Sequence, residues 1–304
     1  MDNINTESYY LFKSCTAGSI YPGIEISTRY VLDNLEITFV NDPRQSSCTG
    51  SGVHLGVVPM ETNMALNARN LSLAAETDSN IICICPMSYS NLKHCQKLIS
   101  KDNKLESSYK KIMDEIGLIY DVTSDVYHVS DLFLNLRNQI TEKTVKLHSN
   151  IRVATHHGCH YSKFFFKDVK SGTFEHPTVL DEILEKVGFE VVGYEEQFLC
   201  CGGGLHRYMA DKEYSRRIFR KKIKSIVEAQ PDIIITQCPG CTFIMDYLQE
   251  SVLEELKMEN SIPVLNIAEL LALLMGAQPE TIGLDMHAVS LEPFLKKLEL
   301  GRDG

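Results

Sequence analysis

Cysteine is the residue type in this chain with the most chemistry to offer. There are ten: Cys15, Cys48, Cys83, Cys85, Cys95, Cys159, Cys200, Cys201, Cys238 and Cys241. In the second half they fall into a pattern: Cys159, then Cys200-Cys201-Gly202, then Cys238-Pro239-Gly240-Cys241. Two residues between cysteines let both sulfurs face one ion, so the last segment reads as a two-ligand clip. Alone, such a clip suits a zinc ion, a redox pair or buried thiols. A vicinal pair rarely serves packing, and five thiols exceed the four that zinc takes. Thiolates are soft ligands, so iron–sulfur or zinc is favoured over magnesium or calcium. Gly202, Gly203, Gly204 and Gly240 allow close backbone approach and amide donors toward anionic sulfur. The pattern predicts a metal cluster.

Histidines crowd the same region. His156, His157 and His160 lie within four residues of Cys159, and His206 follows the vicinal pair. Their candidate roles are proton donation to a departing thiolate or hydrogen bonding to cluster sulfur. His156, His157 and His160 are therefore the candidate catalytic residues. His54, in the stretch Ser51–Gly56, is a further candidate facing the same crevice.

These residues need elements to position them. Periodicity predicts strands at Tyr9–Cys15, Ile37–Val40 and Asn80–Cys85, with helices at Ile24–Leu35 and Thr62–Ala75. The second half repeats the order. Strands are expected at Ile151–Thr155, Phe189–Val192 and Asp232–Thr236, and helices at Val179–Val187, closed by Gly188, and Ala210–Ala229. Ile267–Leu274 reads as a core helix. Strands alternating with helices give an α/β fold. The cysteines then sit at or beyond strand C-terminal ends, where open α/β sheets bind ligands.

The spacing shows a duplication. Cys48 to Cys85 is 37 positions, Cys201 to Cys238 is also 37, and the pairs are offset by 153. Under that offset Cys15 lands nine positions past Cys159, which predicts a longer connection after Cys159. A repeat of about 150 residues is a duplicated domain, not a solenoid. The expected domains are 1–145 and 146–304, with the boundary in the polar stretch Gln139–Asn150. They are expected to be related by pseudo-twofold symmetry, with the cluster site near their interface.

Composition narrows the function. The chain has 304 residues, 44% of them hydrophobic, and a net charge of −10. Disorder and fibrous repeats are excluded, and nucleic acid is a poor partner for so acidic a chain. No membrane span or secretory signal is visible, which predicts a cytoplasmic protein with reduced thiols. A GxGxxG after a strand and a Walker-type loop are both missing, so a nicotinamide, flavin or ATP of its own is not indicated.

The arrangement Cx(40)CCGx(35)CxxC resembles the cysteine-rich CCG domain found in the heterodisulfide reductase family, in the subunit that carries two such domains. The flanking segments VATHHGCHYSK, LCCGGGLH, DIIITQCPGCTFIMD and IPVLNIAELLALLMG resemble it too. So do CTAGSIYPGIEISTRYVLDNL and ETNMALNARNLSLAAE in the first half, and the resemblance covers nearly the whole chain. It implies a non-cubane [4Fe-4S] cluster in each CCG domain, the pair cleaving the coenzyme M–coenzyme B disulfide one electron at a time. Carried over, Cys159, Cys200, Cys201, Cys238 and Cys241 would hold the C-terminal cluster.

The first half departs from this pattern. Ser47 stands where Cys200 stands, Ser88 where Cys241 stands, and Thr49 where the motif glycine stands. Of five thiols, Cys15, Cys48 and Cys85 remain as candidate metal ligands. Hydroxyls are hard and weakly acidic, so no ordinary family cluster is expected there; the site is metal-free or part of a different centre. Cys83 and Cys95 read as buried thiols.

Two functions follow from the resemblance. One is an iron–sulfur subunit reducing a disulfide in a methanogen-type complex. It would have a thiol or disulfide coenzyme as substrate, and iron–sulfur or flavin subunits supplying electrons. The other is a non-catalytic paralogue that carries electrons in a multi-subunit assembly, such as one activating methyl-coenzyme M reductase. A zinc-stabilised α/β protein is the third reading.

Overall fold

The computed structural model describes residues 8–144, 151–163 and 169–300. The first half runs β1 (Ser8–Phe12), α1 (Cys15–Ser19), α2 (Pro22–Asn34), β2 (Thr38–Val40), α3 (Gly50–His54) and α4 (Met60–Ala75). It continues through β3 (Asn80–Cys83), α5 (Pro86–Ile99), α6 (Asn103–Glu115), β4 (Val126–His128), α7 (Val129–Asn135) and α8 (Arg137–Lys143). The second half repeats this as β5 (Arg152–His156), α9 (Cys159–Ser162), α10 (Val179–Lys186), β6 (Glu190–Val191), α11 (Gly204–Ala210) and α12 (Lys212–Ala229). There follow β7 (Ile233–Thr236), α13 (Pro239–Tyr247), α14 (Gln249–Leu256), β8 (Val264–Asn266), α15 (Ile267–Leu274) and α16 (Glu292–Leu300).

Each half holds one four-stranded parallel sheet, in the orders β2-β1-β3-β4 and β6-β5-β7-β8. The fold is thus α/β with a duplicated unit, as the spacing predicts. Central strands read as continuous apolar runs because parallel sheets are covered on both faces. Ile233, Ile234 and Ile235 of β7 and Ile81 and Ile82 of β3 are fully buried. The expected strands shorten at their ends. Cys15 and Cys85 leave their strands, Cys15 to open α1 and Cys85 to stand just before α5. The segment of His54 is helical, not a loop. The longer connection after Cys159 lies between α9 and α10.

Periodicity does not mark β4 and β8, three residues each that merge directly into the helices after them. Both run straight into a helix through a capping box, which fixes where the strand stops. The His128 amide donates to Asp131 Oδ2, and the Asn266 amide to Glu269 Oε2, at 3.2 and 2.7 Å. The stretch Gln139–Asn150 begins inside α8, and its residues 145–150, with the domain boundary, lie outside the described residues.

The halves pack through exchanged partners. Helix α2 lies on α15 while its counterpart α10 lies on α7; α1 meets α13 while α9 meets α5. Reciprocal contact of this kind is the mark of a twofold relation. The approach of α2 to the helical turn Pro279–Ile282 after α15 needs Gly23, where an added Cβ would lie 2.3 Å from the Ile282 carbonyl oxygen. Among the described residues no helix is long and apolar enough to cross a membrane.

Candidate metal centre

In each sheet the chain leaves the first strand in one direction and returns to pair on its other side. The loops after those two central strands therefore diverge and open a crevice at their C-terminal ends. Cys15 follows β1 and Cys85 follows β3; Cys159 follows β5 and Cys238 follows β7. The loops after the edge strands β2 and β6 bring in Cys48 and the Cys200-Cys201 pair. Because the halves face each other, both crevices merge into one cavity of about 170 Å³. Its wall includes Cys15, Cys48 and Cys85 from one half and Cys159, Cys201, Cys238 and Cys241 from the other. That volume is several times the share of one water molecule and leaves room for more than a single ion.

The thiols are in contact with one another. Each thiol shifts the titration of the next: Cys159 and Cys200, Cys200 and Cys201, Cys201 and Cys241, Cys241 and Cys238. Across the halves, Cys85 and Cys238 act on one another in the same way. Cys85 and Cys238 are equivalent positions of the duplication, so they meet at its twofold axis. Bonds from Cys159 and Cys201 hold the Cys200 thiol far below the usual thiol range. Bonds from Cys241 and Cys85 do the same to Cys238. Their donors Cys159 and Cys241 are pushed up in turn. Converging thiols that lose their protons to a metal are the donor set of a soft, multiply charged centre.

Three further observations fit a cluster here. The buried His156 imidazole lies within 4.8 Å, ligand atom to ligand atom, of the Cys201 and Cys241 sulfurs. Its Nε2 has no hydrogen-bond partner among the described residues. Gly158, at φ +77° where glycine is favoured, turns the chain beside Cys238 and Cys241, in ordinary contact with both.

The first half keeps this geometry with different atoms. The Ser88 hydroxyl pulls the Cys48 thiol down, as the Cys241 thiol does Cys201. Ser47 and Ser88 both line the cavity, and Cys15 is exposed at its edge. Cys83 and Cys95 are fully buried away from it; Cys95 accepts a hydrogen bond from Asn63 Nδ2 at 3.2 Å.

The histidines divide. His160 and His206 stand on the cavity wall, and the His54 ring meets His160 edge-on at 4.9 Å. His157 turns elsewhere: its Nε2 accepts the Leu180 amide at 3.0 Å, at the start of α10. Burial pushes His157 down to about 3 and His160 to about 4, and His156 falls as well, so all three imidazoles are neutral.

One residue of this region escapes a motif search. Lys222 of α12 is 0% exposed. Its ammonium donates to the carbonyls of Glu196, Gln197 and Leu199 at 2.8, 3.1 and 2.9 Å, fastening the loop that ends in Cys200. The signal was present: Phe219, Lys222, Ile223 and Ile226 share one helix face, so the lysine sits in the apolar stripe.

The family profile described as "Cysteine-rich domain" (CCG) matches residues 9–93 and 153–246. The chain belongs to this cysteine-rich CCG family. It is 33% identical to a subunit of the ferredoxin:CoB-CoM heterodisulfide reductase of Methanosarcina acetivorans, over 98% of each chain. It is 31% identical to the subunit that bears the same name in Methanosarcina mazei, over 95% of this chain and 96% of that one. A hypothetical protein from Helicobacter pylori shares the fold at a TM-score of 0.70 and 14% identity. That likeness covers 94% of this chain and 53% of the other. The two matched segments of the CCG family end to end reproduce the duplication that the 37-residue spacing marks.

Proposed function

We propose that this chain is the iron–sulfur subunit of a heterodisulfide reductase-type complex. Cys159, Cys200, Cys201, Cys238 and Cys241 would hold one cluster in the second half. The observation that carries this is the convergence of Cys159, Cys201, Cys238 and Cys241 on one cavity shared by the two halves, with Cys200 next in the chain to Cys201. When bound, such a cluster supplies one-electron chemistry at sulfur. The chain's own residues do the rest. The cavity gathers the thiols, and His160 and His206 present neutral N–H groups to a sulfur substrate. Disulfide reduction also needs two electrons, and this chain shows no nucleotide or flavin motif. The names of the relatives favour a coenzyme M–coenzyme B type disulfide as substrate and a ferredoxin as electron source; a flavin subunit is the alternative donor. We take 1–145 and 146–304 as the two domains.

Ser47 and Ser88 favour a second reading as well. With hydroxyls at two of five positions, the first half would lack an ordinary family cluster. A chain with a single cluster carries electrons within an assembly without cleaving the disulfide itself.

The test is the double substitution Cys200→Ala and Cys201→Ala in the full chain. Iron content and visible absorbance, measured anaerobically, are expected to fall by about four irons per chain, the size of one four-iron cluster. Unchanged iron would defeat the assignment.

A further inference from the structure

We propose that Lys222 is the buried counter-charge of the second-half cluster, raising its reduction potential as well as holding the loop that carries Cys200 and Cys201. This rests on the reading that those thiols hold a cluster.

The argument begins with what surrounds the ammonium. A lysine has three N–H donors, and here all three go to main-chain carbonyls. Among the described residues no carboxylate pairs with it. A buried charge without a counter-charge is costly, and folded chains avoid it unless an anion or a metal centre stands nearby. Burial pushes Lys222 down to about 8, and the thiols of Cys201, Cys241 and Cys200 and, after them, the Glu196 carboxylate pull it back up. The ammonium also lies 5.1 Å from the centre of the Tyr194 ring. It sits on the Leu199 carbonyl, one residue before Cys200, so the anion its position serves is the sulfur centre.

The first half serves as an internal control. Arg69 of α4 matches Lys222 of α12 under the 153-residue offset. It donates to the carbonyl of Arg44, which matches Gln197, at 2.9 Å. Yet Arg69 is half-buried where Lys222 is fully enclosed. The loop around Cys48 is held instead by neutral amides: Asn67 Nδ2 and Asn91 Nδ2 donate to the Cys48 carbonyl at 3.0 and 2.5 Å. A fully buried cation stands beneath the half that keeps five thiols and not beneath the half that lost two. Holding a loop requires only donors, which asparagine supplies. A cation is needed where negative charge must be offset. Adding an electron to a cluster adds negative charge, and a fixed cation in a low-dielectric interior favours that state.

The experiment uses the full chain with its cluster reconstituted anaerobically and titrated while its visible absorbance is followed. In Lys222→Met, iron stays at about four per chain. The reduced-to-oxidised ratio at fixed potential falls about tenfold, equivalent to about 59 mV for one electron. Lys222→Arg stays within about threefold of the parent. An unchanged ratio in Lys222→Met, or an equal fall in Lys222→Arg, overturns the proposal. If Lys222→Met takes up no iron, Lys222→Gln decides, since it keeps N–H donors without the charge. Iron uptake with the parent's ratio then overturns the proposal, and a lowered ratio supports it. If neither neutral variant takes up iron while Lys222→Arg does, the charge itself is required and the proposal stands. If Lys222→Arg fails too, side-chain shape is what matters and the proposal falls. A parent chain that takes up no iron defeats the cluster assignment, a separate outcome from all of these.

Discussion

At Ser88 a single atom separates the two halves: an oxygen faces Cys48 where the Cys241 sulfur faces Cys201. A serine hydroxyl stays protonated at neutral pH and binds soft metals poorly, so an unchanged cavity need not hold the same centre. Restoring both thiols by Ser47→Cys and Ser88→Cys is expected to raise anaerobic iron content by about one four-iron cluster. The geometry is already in place, since Cys15, Cys48 and Cys85 line the same cavity. No gain in iron would mean that the Thr49 backbone, at φ +53° where the second half has Gly202 at φ +119°, has closed the site.

Among the elements, the contact of α2 with α15 and the turn Pro279–Ile282 after it is open to a single-substitution test. Gly23 is buried against the Ile282 carbonyl and 3.2 Å, counted from an ideal Cβ, from Glu269 Oε1. Gly23→Ala must push main chain apart and is expected to cost about 1–3 kcal/mol, the range for overpacking. Gly18→Ala is the control, because an added Cβ there meets nothing within 4 Å. It is expected to be neutral or to stabilise α1 slightly, as alanine replaces glycine in a helix. Denaturant midpoints of the two variants check this; equal midpoints would mean that α2 and α15 can separate freely. The same scale explains why Lys222 was legible only in part. The helical period shows it in the apolar stripe of α12, but not that the carbonyls of another loop wait beneath it.

For the whole molecule, a buried polar cluster ties the chain's distant parts together. Tyr21, just ahead of α2, donates to Asp246 Oδ2 of α13 at 2.7 Å. Asp246 and Glu269 flank the buried His287 side chain, at 3.6 and 3.3 Å from its two ring nitrogens. Burial alone would lower His287, but the two carboxylates outweigh it and raise it to about 10. A folded value above the unfolded one of about 6.5 means that the protonated ring stabilises the fold fully below that pH. The contribution is lost as pH rises toward about 10. His287→Ala leaves buried carboxylates without their cation and is expected to cost about 3–5 kcal/mol at pH 6. Unfolding curves of parent and variant at pH 6, 8 and 10 should show the difference shrinking with pH. A difference independent of pH would show that His287 is neutral in the fold.

The sequence by itself determined the duplication, the α/β class and the five thiols of the second half. Each of these is local or strictly periodic: apolar runs of β3 and β7, a 37-residue interval repeated, a vicinal pair and a CxxC. It also showed the loss of two thiols at Ser47 and Ser88, since substitution inside a repeat is visible by comparison with the other copy. Only the tertiary structure decided which groups from different halves meet. The Cys85–Cys238 contact, the shared cavity, the diversion of His157 to the start of α10 and the enclosure of Lys222 all depend on how two sheets face each other across a twofold axis. A spacing along the chain fixes what one sheet edge carries, but the approach of two such edges is set by the packing of α2 on α15 and α7 on α10. That packing depends on shape and close approach, at Gly23 above all, and these leave no period in the sequence.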